Sequence, residues 1–142
     1  MKIKEFSVRR YTRISVIQAL YAWQISKNKI VEIEMQFLMD LNHNFVDNIY
    51  FRELYLGSTT HVKELDKLIL PNITRSLNMI GYVEHAILRL AIFELLYQKY
   101  VPYKVIINEA VELGKIFGTE KSYKFINSVL DKVGMQIRLN KK

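Results

Sequence analysis

The sequence predicts an all-α fold, a compact helical bundle of about six to seven helices. Three observations point to it. Apolar residues recur three and four apart through almost the whole chain, and no segment sustains strand-like alternation. Only 5 Gly and 2 Pro occur in 142 residues, fewer turn-formers than sandwiches or barrels use. Half of the residues (50%) are hydrophobic, enough to build a core at this length.

The first helix carries Ile14, Ile17, Leu20, Tyr21 and Ile25 on one stripe and is interrupted at Asn28 and Lys29. A second runs from about Ile30 to Leu41, with Ile30, Phe37, Leu38 and Leu41 aligned. The stretch LNHN ends it, because Asn side chains compete for the backbone. A long third helix is predicted from about Asp47 to Leu70, on Phe51, Leu54, Tyr55, Ser58, Val62, Leu65 and Ile69, with Pro71 as the stop. A short helix over Thr74 to Met79 precedes Gly81. Tyr82 to about Lys99 is apolar around most of its circumference, which predicts a central position. Pro102 suits the first turn of the next helix, whose inner face is Ile106, Ala110, Leu113 and Phe117 and whose end is Gly118. Thr119 is a candidate N-cap for the last helix, with Ile126, Val129, Leu130 and Val133 inward. No repeat or low-complexity linker appears. The chain reads as one domain, 1–142, of two three-helix-type subdomains, about 1–71 and about 72–142.

The net charge is +7, and it is concentrated. Residues 1–13 carry Lys2, Lys4, Arg9, Arg10 and Arg13 against Glu5, and residues 132–142 carry Lys132, Arg138, Lys141 and Lys142; each end sums to +4 and the remainder to −1. Cationic ends on a near-neutral body either solvate frayed termini or attract a polyanion. No Cys is present, which removes disulfides, thiol nucleophiles and Cys-ligated zinc. The most apolar run, Ala86 to Tyr97, contains Arg89 and Glu94 and is too short to cross a bilayer, so no membrane association is expected. MKIKEFSVRR lacks the apolar core of an export signal.

Catalytic chemistry finds little support. His43, His61 and His85 are scattered, and the pair His61 and Glu64 reads as a solvated face rather than a metal site. Gly114-Lys115 lacks the other residues of a phosphate loop, and no GxSxG or GxGxxG occurs. Arg89 and Glu94, inside the apolar helix, read as a structural ion pair or buried hydrogen bond. No catalytic residue, metal or cofactor is expected.

Arg9, Arg10 and Arg13 lie within about a 100° sector of a helix, and that sector continues into Ile17 and Leu20. The core-facing stripe therefore begins with arginines, which make two-pronged phosphate contacts and stack on bases. Phe125, with Lys121 one turn before and Lys124 adjacent, suits stacking on an unpaired base. It equally suits an ordinary residue at the edge of a core.

Five segments, in this order, carry a resemblance: RRYTRISVIQALYAWQIS (Arg9 to Ser26), YFRELYLG (Tyr50 to Gly57), VEHAILRLAIFEL (Val83 to Leu95), VPYKVIINEAVELGKIFG (Val101 to Gly118) and KFINSVLDK (Lys124 to Lys132). Together they resemble the NusB family of bacterial transcription antitermination factors over almost the whole chain. The resemblance implies a cytoplasmic, non-enzymatic RNA-binding protein. It would bind the boxA element of ribosomal RNA leader transcripts together with NusE, a small-subunit ribosomal protein, and join the RNA polymerase antitermination complex. It implies RNA contacts from the arginine-rich N-terminus (Arg9, Arg10, Arg13) and from the region of Phe125; Lys2 and Lys4, and Lys121 and Lys124 on the last helix, are further RNA-binding candidates on their charge. Tyr21 and Glu84 match positions associated with NusE. The sequence departs from the family pattern at Tyr11 and Thr12, inside the arginine motif, at Lys121, often acidic in relatives, at Gly114, usually Ala, and at Ser128, usually Gly.

Two other readings compete. A helical adaptor would bind only protein, through exposed aromatics such as Tyr21. The NusB-like accessory domain of some rRNA methyltransferases would go with a cofactor-binding βα unit, which this sequence does not contain.

Overall fold

The computed structural model describes residues 5–27, 29–42 and 44–139, with the side chains of residues 5 and 6 excepted. Among these residues there are seven α-helices and no strand: α1 (Glu5–Ser26), α2 (Ile30–Asp40), α3 (Asn48–Thr60), α4 (Val62–Ile69), α5 (Tyr82–Tyr97), α6 (Tyr103–Phe117) and α7 (Glu120–Gly134). Short 3₁₀ turns at Leu70–Asn72 and Leu77–Met79 link α4 to α5, and a π-helical turn, Met135–Leu139, follows α7. The helices fall into two compact units, residues 1–60 and 61–142.

In the first unit α1 packs on α2 and α3. Val16, Ile17, Ala19 and Leu20 of α1 meet Ile33, Phe51, Leu54 and Tyr55 as the buried core. The Phe51 ring stacks on Phe37 at 6.2 Å and on Tyr55 at 5.8 Å. The Tyr55 hydroxyl donates to the Ile30 carbonyl at 2.8 Å and so holds the start of α2. Burial pushes the Tyr55 phenol up, and the nearby Glu34 charge adds to it. Asp47 caps α3: its carboxylate accepts from the Tyr50 N–H at 3.1 Å. Two residues of the expected α1 stripe, Tyr21 and Ile25, are exposed instead.

In the second unit α5 is central, as its all-round apolar sequence predicts: His85 to Leu95 are buried without a break. It packs against α4, α6 and α7. Gly114 sits at a close α6–α7 approach, where an added Cβ would lie 3.1 Å from Tyr123 Cβ and 3.0 Å from Ile126 Cδ1. Gly118 ends α6 in extended backbone; a Cβ there would meet Ser122 at 2.8 Å. Thr119 caps α7 and accepts from the Ser122 N–H at 3.4 Å.

The expected helix from Asp47 to Leu70 is interrupted. His61 sits in a turn between α3 and α4, at φ −103° and ψ 17°. Its ring lies 4.6 Å from that of Tyr97, whose hydroxyl donates to Glu64 at 2.6 Å. His61 and Glu64 thus belong to an aromatic cluster rather than to a purely solvated face. Arg138, counted by sequence with the cationic C-terminal end, turns inward. Its guanidinium donates to the carbonyls of Leu95 (2.8 Å), Val101 (3.1 Å) and Gln98 (3.3 Å), which closes the open end of α5.

Candidate nucleic-acid interface

The arginines at the head of α1 meet one aromatic ring. Tyr50, in the first turn of α3, is nearly buried at 8% exposure. The Arg13 guanidinium donates to its hydroxyl at 3.3 Å and lies 5.9 Å from the ring centre; the Arg9 guanidinium lies 5.7 Å from the same ring. Such cation–ring contacts orient a guanidinium while leaving its edge donors for other partners. Exposure then separates the three. Arg9 and Arg10 are partly exposed, whereas Arg13 is 3% exposed. The core-facing stripe does begin with arginines, of which Arg9 and Arg10 reach solvent and Arg13 does not.

The departures at Tyr11 and Thr12 have structural reasons. Thr12 is fully buried. Its hydroxyl donates to the Val8 carbonyl at 2.7 Å and accepts from the Asp47 N–H at 3.0 Å, which ties α1 to the cap of α3. Tyr11 packs edge-on against Phe45, with centroids 5.7 Å apart, and keeps 48% of its surface exposed. Lys2 and Lys4 lie outside the described residues.

The second cationic group is on α7. Lys121 and Lys124 are exposed and Phe125 is partly buried. Lys124 pairs with Glu120 at 2.8 Å, both side chains well exposed. Water and salt screen such a pair, so Lys124 remains able to exchange partners. Sequence inspection missed Arg75. It lies in the α4–α5 connection, and its guanidinium covers the Phe125 ring at 4.3 Å from the centroid. No helical periodicity links a loop residue to α7, so the only sequence signal was an isolated Arg between Pro71 and Gly81.

Tyr21 and Glu84, which the resemblance links to NusE, fall one in each unit. Tyr21, on α1, is 40% exposed. Glu84, in the first turn of α5, accepts from the Gly81 N–H at 3.3 Å and so holds the helix start. Arg89 forms an ion pair with Asp66 of α4 at 2.8 Å, both side chains largely buried. Among the described residues no group of three or more His, Asp or Glu is placed to hold a metal ion, and no helix is long and apolar enough to cross a membrane.

Residues 10–134 match the model of the NusB family. The transcription antitermination protein NusB of Sodalis glossinidius is 54% identical over 136 residues, covering 96% of this chain and 98% of that protein. The structure of NusB from T. maritima superimposes with a TM-score of 0.82 at 31% identity, over 96% of this chain and 94% of that one. A crystal structure of the antitermination factors NusB and NusE in complex with dsRNA superimposes with a TM-score of 0.80 at 25% identity, over 91% and 97%. The segments that span the match include both cationic groups, from Arg10 on α1 to Phe125 on α7, and on these grounds the chain belongs to the NusB family.

Proposed function

We propose that this protein is a transcription antitermination factor. It binds boxA of ribosomal RNA leader transcripts together with NusE and helps RNA polymerase resist premature termination, acting in the bacterial cytoplasm and without catalysing a reaction. The observation that carries this reading is the family match over residues 10–134. The solved relative in complex with NusE and RNA gives it its partners.

Within this reading the roles divide by exposure. Arg9 and Arg10 contact phosphates, and Arg13 supports Arg9 by hydrogen-bonding the hydroxyl of the Tyr50 ring that both approach. Lys2 and Lys4 extend the same basic segment. Lys121 and Lys124 add charge beside Phe125, whose ring takes an unpaired base. Tyr21 and Glu84 belong to the NusE contact. The test is a gel shift with single-stranded boxA RNA, alone and with NusE. The expected result is retardation that strengthens with NusE and weakens as salt rises, because phosphate contacts release counterions. No shift in either mixture would leave only a protein-binding adaptor.

A further inference from the structure

Arg75 has one interaction among the described residues, the face of Phe125. Among the described residues no hydrogen bond or ion pair engages its donors, and the side chain is exposed. That is an unusual setting for an arginine. Guanidinium groups on a protein surface usually turn an edge to a carboxylate, and among the described residues none is in place here. The guanidinium instead lies over the ring, 4.3 Å from its centre, on the face that a stacked base would use. Two properties follow. Phe125 is kept from exposing a bare apolar face in the free protein. The side chain is exposed, so its N–H donors can reach a phosphate in two-pronged fashion.

We propose that Arg75 is an RNA-binding residue that shares one stacking site with Phe125. In the free protein the guanidinium occupies the ring face. On binding, an unpaired base takes that face, and Arg75 shifts to the phosphate beside the same nucleotide. The exchange costs little, because a surface cation–ring contact is weak and is replaced by a base–ring stack and a charged hydrogen bond. Lys121, one turn before Phe125 on α7, is likewise exposed and without an ion pair among the described residues. The ring is therefore flanked by two charges available to a polyanion. The inference rests on the RNA-binding reading above and names a residue that reading did not include.

The experiment uses the full chain with NusE and a fluorescein-labelled single-stranded boxA RNA, titrated at several salt concentrations. Four forms are compared: the wild type, Arg75→Ala, Arg75→Lys and Phe125→Leu. Arg75→Ala is expected to weaken binding about 5- to 20-fold and to reduce the slope of log affinity against log salt by about one, the signature of one lost phosphate contact. Arg75→Lys should keep the slope and recover only part of the affinity. Phe125→Leu should weaken binding with the slope unchanged, since stacking releases no counterion. Far-UV circular dichroism and melting temperature should be unaltered in both Arg75 variants, because the residue is exposed. If the wild type binds and Arg75→Ala matches it in affinity and slope, the Arg75 assignment is wrong while the RNA-binding reading stands. If the wild type itself binds no RNA, both fall together.

Discussion

Asp66 on α4 grips Arg89 on α5 through two parallel hydrogen bonds, at 3.0 and 2.8 Å, and the His85 ring meets the same carboxylate at 2.7 Å. Burial alone would raise this carboxyl. The hydrogen bonds from His85 and Arg89, with their charges, outweigh burial and bring it down to about 2 from an ordinary 3.8. A carboxyl lowered on folding stabilises the native state above its unfolded value, and loses that contribution as pH falls through its folded value. Asp66 should therefore contribute about 2 kcal/mol at neutral pH. That contribution should disappear between pH 3.8 and about 2. Asp66→Asn is expected to cost about 3 kcal/mol in urea unfolding at pH 7, because Arg89 keeps its buried charge and loses its counter-ion. Below about pH 2 the two proteins should converge. A constant difference across the acid range would remove Asp66 as the titrating group.

Arg138 holds the end of α5 from the far end of the chain. Its three shorter bonds go to the Leu95 carbonyl in the last turn of α5 and to the Gln98 and Val101 carbonyls just beyond it. Arg138→Ala should destabilise the protein by about 2 kcal/mol, through the Leu95 and Val101 carbonyls that lose this donor. Arg138→Lys should recover less than half of that, since an ammonium cannot span three acceptors in one plane. Chemical denaturation of the three forms measures it. Equal stability of the Ala variant and the wild type would mean that water serves these carbonyls equally well.

The helical class, and most core positions, could be read from the chain because burial repeats with the helix period: Ile17, Leu20, Phe51, Leu54, Leu65 and Ile69 are all buried as their spacing predicts. Periodicity marks a face but not how far neighbouring helices reach along it, so Tyr21 and Ile25 continue the stripe yet stay exposed. Nor does it show partners distant in sequence. Asp66 and Arg89 are 23 residues apart, Arg138 and Leu95 are 43 apart, and Arg75 finds Phe125 from a loop with no periodic signal. The break at His61 was hidden for a related reason: the apolar rhythm of α3 continues through the turn into α4. The cationic residues could be found by counting charge. Their division into buried and available groups could not.

The lysines of α7 differ in what they already hold. Lys124 is paired with Glu120 at 2.8 Å, whereas Lys121 has no ion pair among the described residues. Lys121→Ala should therefore weaken RNA binding more than Lys124→Ala does. Lys121→Asp, which puts a negative charge beside Phe125, should weaken it further. Glu120→Gln, which frees Lys124, should strengthen binding about twofold to threefold at low salt and have no effect at high salt, where the exposed pair is screened. Equal losses from the two lysines would show that the pair with Glu120 does not restrain Lys124.

Arg9 and Arg13 approach the same Tyr50 ring with opposite exposure, so their replacement should separate stability from affinity. Arg13→Ala removes a buried hydrogen bond to the Tyr50 hydroxyl and is expected to cost about 1 to 3 kcal/mol of folding stability. It should weaken RNA binding as well, by loosening the ring against which Arg9 is set. Arg9→Ala and Arg10→Ala should leave the melting temperature within about 2 °C of wild type, as surface changes do. Each should lower the salt slope of RNA binding by about one. Tyr50→Phe keeps the ring and removes the hydroxyl, so it should reproduce part of the Arg13→Ala stability loss while retaining the Arg9 contact and the RNA slope. Thermal unfolding read beside salt-dependent binding distinguishes the roles. An Arg13→Ala protein that melts like wild type but loses a full unit of slope would place Arg13 on the RNA directly and overturn its assignment as a support.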